Sequence, residues 1–257
     1  MIRCVPTLFG SLILLTMTNA QGRPPLPLSP TPLVRVTAAI PNNLPQFDAG
    51  VVQKFHPYAF LLTNESNKTI VGLMTLWTFT DANGFPRTGE IHTDSFMQPH
   101  SPALLAPQSS LIVAPGAFLP VALANRPHLG ATLTDLDGRL SPAIIGATNI
   151  KVEIDLVIFD DGEIAGPNAT RFDTQIQDRK IAATLLAKQI RNTIANADDP
   201  NTVLSNVLET KPAQSDPVAM WTHMYARMLF KSRSLDKQLN ALETLPEPPT
   251  FYKKKVQ

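Results

Sequence analysis

The sequence has 257 residues, of which 44% are hydrophobic and 17% are charged. This length allows one large domain or two small ones with a substantial core, and the formal net charge of +1 argues against intrinsic disorder and against electrostatic capture of nucleic acid. The 24 prolines against 12 glycines predict long extended or loop segments rather than a regular helical bundle.

Residues 1–20 have the features of a secretory signal peptide. Arg3 supplies a positive charge, an apolar run extends from Val5 to Met17, and the small residues Thr18 and Ala20 occupy the positions expected before a cleavage site. The apolar run is shorter than the ~20 residues that a transmembrane helix needs. We therefore predict cleavage after residue 20, a secreted or periplasmic location, and no membrane span in the mature chain.

Cys4, the single cysteine, lies within this signal peptide. The mature chain would therefore lack disulfides, thiol nucleophiles and thiolate metal sites, and its core would have to be stable by packing alone. The near absence of cysteine in a secreted chain favours a bacterial source.

The next part of the chain predicts β-structure. Residues 21–45 are a proline-rich leader that contains a first strand, and residues 46–170 carry short alternating apolar runs between turns, the pattern of an immunoglobulin-like β-sandwich. The runs at 58–62 and 69–80 predict a hairpin, with Trp77 and Phe79 on the core-facing side of the second strand. Residues 86–108 show no clear period. Further strands are predicted at 111–114, 118–123 and 150–159, with a return strand beginning at 163.

Near Arg171 the apolar spacing changes to a helical period. The spacing predicts a helix to about Asn196, a short helix near 203–208, and a third and longest helix from Asp216-Pro217 to Pro246. The helical segment covers residues 171–250, and a basic tail covers residues 251–257. The predicted fold class is mainly β with an α-helical C-terminal segment, that is, a sandwich followed by about three helices.

Few residues form a pattern with chemical reactivity. His92, Asp94 and His100 supply nitrogen and oxygen atoms that zinc accepts, but their spacing matches no helical or knuckle motif. Acidic residues near the turn after residue 159 are best explained as turn formers; they are Asp155, Asp160, Asp161 and Glu163. No serine-nucleophile or phosphate-loop motif is found, and we predict no cofactor.

Two other groups of residues are candidate sites. Trp221, Tyr225 and Met228 form an apolar stripe on the third predicted helix and are candidates for partner binding. Three sequons begin at Asn64, Asn67 and Asn168, and they would be glycosylation sites if the source were eukaryotic.

Residues 62–70 contain the turn Asn64-Glu65-Ser66-Asn67-Lys68, and the aromatic run that begins at Trp77 ends in Asp81-Ala82-Asn83-Gly84. This combination resembles small extracytoplasmic immunoglobulin-like modules of the FxLyD kind. The resemblance implies a fold and a compartment without implying an activity.

The sequence therefore favours a secreted or periplasmic, non-catalytic binding or structural module with a protein or cell-envelope partner and no nucleic acid. Two alternatives remain open: an extracytoplasmic metal-dependent hydrolase that uses His92, Asp94 and His100, and an interaction protein that oligomerises through the helix at 217–245.

Overall fold

The computed structural model describes residues 25–37, 58–96, 103–114, 117–120, 144, 146–213 and 215–254, and the elements named below are those of this part of the chain. It is a mixed α/β structure with two sheets followed by helices. One sheet has the strand order β1-β2-β5-β6 and the other β4-β3-β7-β8-β9. The strands are β1 (Val34–Thr37), β2 (Phe60–Asn64), β3 (Ile70–Thr80), β4 (Pro86–Asp94), β5 (Ser110–Ala114), β6 (Ala117–Pro120), β7 (Thr148–Phe159), β8 (Glu163–Ala165) and β9 (Tyr252–Lys253).

The two sheets enclose one hydrophobic cluster. Phe60 and Leu62 from β2 and Leu111 from β5 pack with Trp77 and Phe79 from β3. The side-chain alternation predicted for residues 69–80 is confirmed, because Trp77 and Phe79 lie in this cluster and are buried.

The opposite face of β3 is also buried, under a helix. Met74 from β3 and Leu156 and Ile158 from β7 form a second cluster with Phe172 and Ile176, from the first described helix, α1 (Phe172–Ala195). The five-stranded sheet is thus a middle layer between the other sheet and the helices.

Three shorter helices follow α1 in the described part of the chain: α2 (Pro200–Glu209), α3 (Pro217–Phe230) and α4 (Leu235–Glu243). Asp216 caps α3 as predicted, accepting the Ala219 amide at 2.9 Å. The predicted third helix, however, is divided into α3 and α4, and α1 is the longest described helix. The Ser232 hydroxyl donates to the Ser234 carbonyl and accepts the Ser234 amide, and these local bonds replace helical ones at the break.

The hairpin predicted for residues 58–62 and 69–80 is wrong. β2 pairs with β1 and β5, whereas β3 pairs with β4 and β7 in the other sheet. The chain changes sheets at the turn after Asn64, whose side-chain amide donates to the carbonyls of Lys68, Leu105 and Ala106 at 2.8, 3.2 and 3.2 Å. The turn predicted at residues 160–162 does join an antiparallel pair, β7 and β8.

Two strands have no counterpart in the sequence prediction. β4 pairs only with β3 among the described strands, and Asp94 is its only buried residue, so it lacks an apolar period. β9 lies in the predicted basic tail, and Tyr252 and Lys253 pair in parallel with Glu163 and Ile164 of β8. The chain thus returns from the helices to the edge of the sheet.

Candidate binding face on helices α1 and α3

A buried ion pair joins the middle sheet to helix α1. Arg179, on the sheet-facing side of α1, donates from Nη2 to Oδ2 of Asp94 at 2.8 Å. The two side chains are 4% and 0% exposed, and Oδ1 of Asp94 accepts the Phe96 amide at 2.9 Å. A pair this well shielded from water fixes the position of the helix on the end of β4.

Aromatic rings contact the Arg179 guanidinium and tie α3 to the same position. The guanidinium carbon lies 5.6 Å from the ring centroid of Phe172 and 5.3 Å from that of Trp221. Among the described residues, Nε and Nη1 of Arg179 have no hydrogen-bond partner. The cation is therefore stabilised mainly by one carboxylate and by the π-systems of α1 and α3.

Two titratable side chains border this cation. The His92 ring packs against the Phe172 ring in a tilted arrangement, with 5.1 Å between the centroids. Burial and the nearby Arg179 charge lower the pKa of His92, and the Asp94 charge opposes this shift. Burial raises the pKa of the Tyr225 hydroxyl. Both groups are therefore held in their neutral forms at neutral pH.

The residues of the metal-dependent alternative do not form a ligand set in the described chain. Asp94 is bonded to Arg179 and Phe96, and His92 packs against Phe172, while His100 lies outside the described residues. Within the described ranges, no group of three potential ligands is arranged to hold a metal ion. The metal site stays a prediction without supporting geometry.

The acidic residues of β7 and of the turn that follows it have structural partners. Asp155 accepts the amides of Ala169 and Thr170 at 2.7 and 3.1 Å and so holds the segment that leads into α1. Lys68 bonds both Asp161 and Glu163, and these bonds raise the pKa of Lys68. The interpretation of Asp161 as a turn former fits its Oδ1, which accepts the Glu163 amide.

The three sequon asparagines differ in their environment. Asn64 is buried and fully engaged by the turn described above, and Asn168 accepts the Phe172 amide at 2.9 Å at the start of α1. Asn67 is exposed. Glycosylation stays a prediction at all three.

A groove lies between α1 and α3 at the edge formed by β4. Its volume is about 560 Å³, and Met220, Trp221 and Met224 of α3 line it. Glu90 of β4 and Asp178 of α1 line the same groove, which places the first half of α1 beside the first half of α3.

Exposed apolar side chains occur on both helices, and two of them, Met220 and Met224, line the groove. On α3 they recur every four residues, and on α1 they lie three and seven residues after Asp178, which is the spacing of one helical face. We call this set the methionine face; its members and exposed fractions are Met220 (47%), Met224 (42%), Met228 (41%), Ile181 (47%) and Leu185 (55%).

The methionine face carries opposite charges at its two ends. The carboxylates of Glu90 and Asp178, with the guanidinium of Arg171, give a net negative charge near Met220. Arg227 is exposed beside Met228, one helical turn from the other end of α3. None of these four charged groups has an ion-pair partner among the described residues.

The predicted partner-binding residues divide between core and surface. Met228 belongs to the exposed methionine face, Trp221 is half-buried and lines the groove, and Tyr225 is buried in the helical core. Sequence reasoning missed Met220 and Met224, although their four-residue spacing from Met228 was visible. It also missed Ile181 and Leu185, because both belong to the apolar spacing that predicts the helix from Arg171 to about Asn196, yet they are exposed.

No protein-family model, curated protein or solved structure matches the chain. Within the ranges that the structure describes, the helices are too short or too polar to cross a bilayer.

Proposed function

We propose that this protein is a non-catalytic extracytoplasmic binding module whose methionine face receives the apolar side of an amphipathic helix from a protein partner. The observation that carries the proposal is the exposed row Met220, Met224 and Met228 on α3, with Ile181 and Leu185 exposed on the packed helix α1. Helix-in-groove recognition uses anchors with this spacing.

The chemistry of the face supports this kind of partner. Methionine side chains are flexible and polarisable, so they adapt to the shape of an incoming apolar surface. The five side chains leave on the order of 400 Å² of apolar surface exposed, a size at which a patch on a monomer is often functional. The unpaired Glu90, Asp178 and Arg227 at its ends provide the polar rim of a protein interface.

The rigidity of the face depends on the cluster beneath it. Trp221 contacts the Arg179 cation on one side and lines the groove on the other. Because Arg179 is bonded to Asp94 of the sheet, the groove wall is fixed to the middle layer. A fixed wall lowers the entropy cost of receiving a partner.

The compartment and the sheet architecture are part of the proposal. The signal-peptide pattern of residues 1–20 supports export, and N-terminal mass spectrometry of the secreted protein should find Gln21 as the first residue. A first residue of Met1 would contradict cleavage of a signal peptide, and absence of the protein from the exported fraction would contradict export. The two facing sheets and the Asn64 turn support an immunoglobulin-like sandwich of the FxLyD kind.

A helix-constrained, fluorescent peptide with the sequence of residues 216–231 is a direct probe of the face. We expect it to bind the dilute full chain saturably in fluorescence anisotropy, and Met224→Glu to weaken binding by at least about tenfold, because a charge would replace an apolar anchor. Phe230→Glu is the matched control, since Phe230 is 53% exposed but lies on another side of α3.

Saturable binding that Met224→Glu weakens and Phe230→Glu does not would support recognition by the methionine face. Absence of saturable binding, or equal binding by the wild-type chain and Met224→Glu, would overturn the proposed function. Circular dichroism of both variants checks that the helices are retained.

A further inference from the structure

We infer that the small cavity beside Arg179 is a binding site for one ordered water molecule, which accepts a hydrogen bond from the Arg179 guanidinium. The inference goes beyond the proposed function and does not depend on what the methionine face binds. It rests on the unpaired donors of Arg179, on the size of the cavity and on the balance of charge around it.

The Arg179 guanidinium has donors that the described protein groups do not use. Its Nη2 donates to Asp94 at 2.8 Å, whereas Nε and Nη1 are buried and have no hydrogen-bond partner among the described residues. The side chain is only 4% exposed, so these two nitrogens are shielded from bulk water. A buried donor without an acceptor keeps the full cost of leaving water, and this cost is larger for a charged group. Such groups are therefore normally paired with an ordered water where no protein acceptor is in reach.

The cavity has the size and the lining of a water site. Arg179 and Lys180 of α1, Tyr225 of α3 and Leu245 after α4 line it, and its volume is about 10 Å³. This is about the space of one water molecule, so a larger ligand does not fit. A buried water needs about two to four polar partners, and the side chains of Arg179, Lys180 and Tyr225 can supply them. The Tyr225 hydroxyl can accept as well as donate a hydrogen bond.

The balance of charge favours a neutral occupant over an anion. Arg179 is bonded to the buried carboxylate of Asp94. Lys180 pairs with Glu247 at 2.9 Å, and it also donates to the Leu245 carbonyl at 2.6 Å. Each cation that lines the cavity therefore has its own carboxylate. A chloride ion would lose its hydration shell and add an unbalanced charge, whereas a water molecule adds none.

The water gives Arg179 a second link to helix α3. The guanidinium already contacts the ring of Trp221, and Tyr225 lies one helical turn further along the same helix. A hydrogen-bonded bridge from Arg179 through the water to the Tyr225 hydroxyl therefore connects the buried ion pair to α3 at a second position.

A high-resolution crystal structure of the full chain, with a second data set from crystals soaked in sodium bromide, tests the inference. We expect one water peak in the cavity, within hydrogen-bond distance of Nε or Nη1 of Arg179, and no anomalous bromide signal at that position. A cavity without electron density would overturn the inference. An anomalous bromide peak in place of the water would also overturn it, because the occupant would then be an anion.

The variant Tyr225→Phe tests the bridge in solution, because it removes the hydroxyl and keeps the ring. We expect it to lower the midpoint of thermal unfolding by about 2–4 °C, the shift that the loss of one buried hydrogen bond produces in a chain of this size. Tyr58→Phe is the matched control and should leave the midpoint nearly unchanged, since Tyr58 packs against the core between the two sheets and does not line the cavity. Equal midpoints for the wild type and Tyr225→Phe would overturn the bridge to α3.

Discussion

The guanidinium of Arg179 and the carboxylate of Asp94, 85 residues apart in the sequence, meet at 2.8 Å between the middle sheet and the helices. Neither group is accessible to water to any useful extent. The bond therefore couples the binding face on α1 and α3 to the end of β4.

Removing either partner of this pair should destabilise the protein strongly. Arg179→Met and Asp94→Leu each leave a buried charge without its partner, and we expect each to lower the free energy of unfolding by about 3–5 kcal/mol. The double variant leaves no buried charge, so it should lose less stability than either single variant. Urea denaturation of all four proteins measures this coupling, and a double loss equal to the sum of the single losses would contradict it.

His92 should make the stability depend on pH. Burial and the Arg179 charge lower the pKa of His92 in the folded state, so below its usual value of about 6.5 the unfolded state binds the proton first. The free energy of unfolding should therefore fall as the pH falls below 6.5. The free energy of unfolding of His92→Gln should fall less over the same pH range. Urea titrations of both proteins at several pH values measure this difference, and parallel pH profiles would exclude His92 as the cause.

Asn64 should be important for stability while its neighbour Asn67 is not. Asn64→Ala removes the donor to the carbonyls of Lys68, Leu105 and Ala106 and should cost about 2–3 kcal/mol. Asn67 is exposed, so Asn67→Ala should change the free energy of unfolding by less than about 0.5 kcal/mol. Thermal or urea denaturation compares the two, and equal effects would refute the assignment.

Gly162 should tolerate no side chain because the segment that leads into β9 lies against it. Gly162 and Gly84 both have positive φ, +88° and +83°, but a Cβ at 162 would lie 2.5 Å from the Thr250 carbonyl oxygen, whereas a Cβ at 84 meets no atom within 4 Å. Both alanine variants carry the backbone strain of a positive φ. Any additional loss of unfolding free energy in Gly162→Ala therefore reports the contact with the C-terminal segment. We expect Gly162→Ala to be the less stable variant, and the reverse order in urea denaturation would contradict the docking of β9.

Local patterns were enough to predict many elements but not their partners. Strand β3 and helix α1 follow from side-chain period, and the Asp216 cap follows from a two-residue motif. The position of β3 in the second sheet does not follow from side-chain period, because strand pairing depends on contacts between residues that are distant in the sequence. Strand β4 lacks an apolar period because it has a neighbour on one side only among the described strands.

The candidate site was harder to predict for a related reason. Met220, Met224 and Met228 have the spacing of a core-facing helix, and only the packing of Tyr225 and Leu229 toward α1 shows that the methionines face outward. Arg179 looks like an ordinary surface residue until Asp94 and the rings of Phe172 and Trp221 are brought to it by the fold.

The parallel pairing of β8 with β9 changes how the helices relate to the rest of the molecule. Glu163 and Tyr252 are neighbours in the sheet, so the chain leaves one strand, forms the helices and re-enters beside the strand it left. In topological terms the helices are an insertion between adjacent strands rather than an appendage. The sheet therefore holds both ends of the helical segment side by side, so the position of the helices is set at their entry and at their exit as well as by the contacts beneath them.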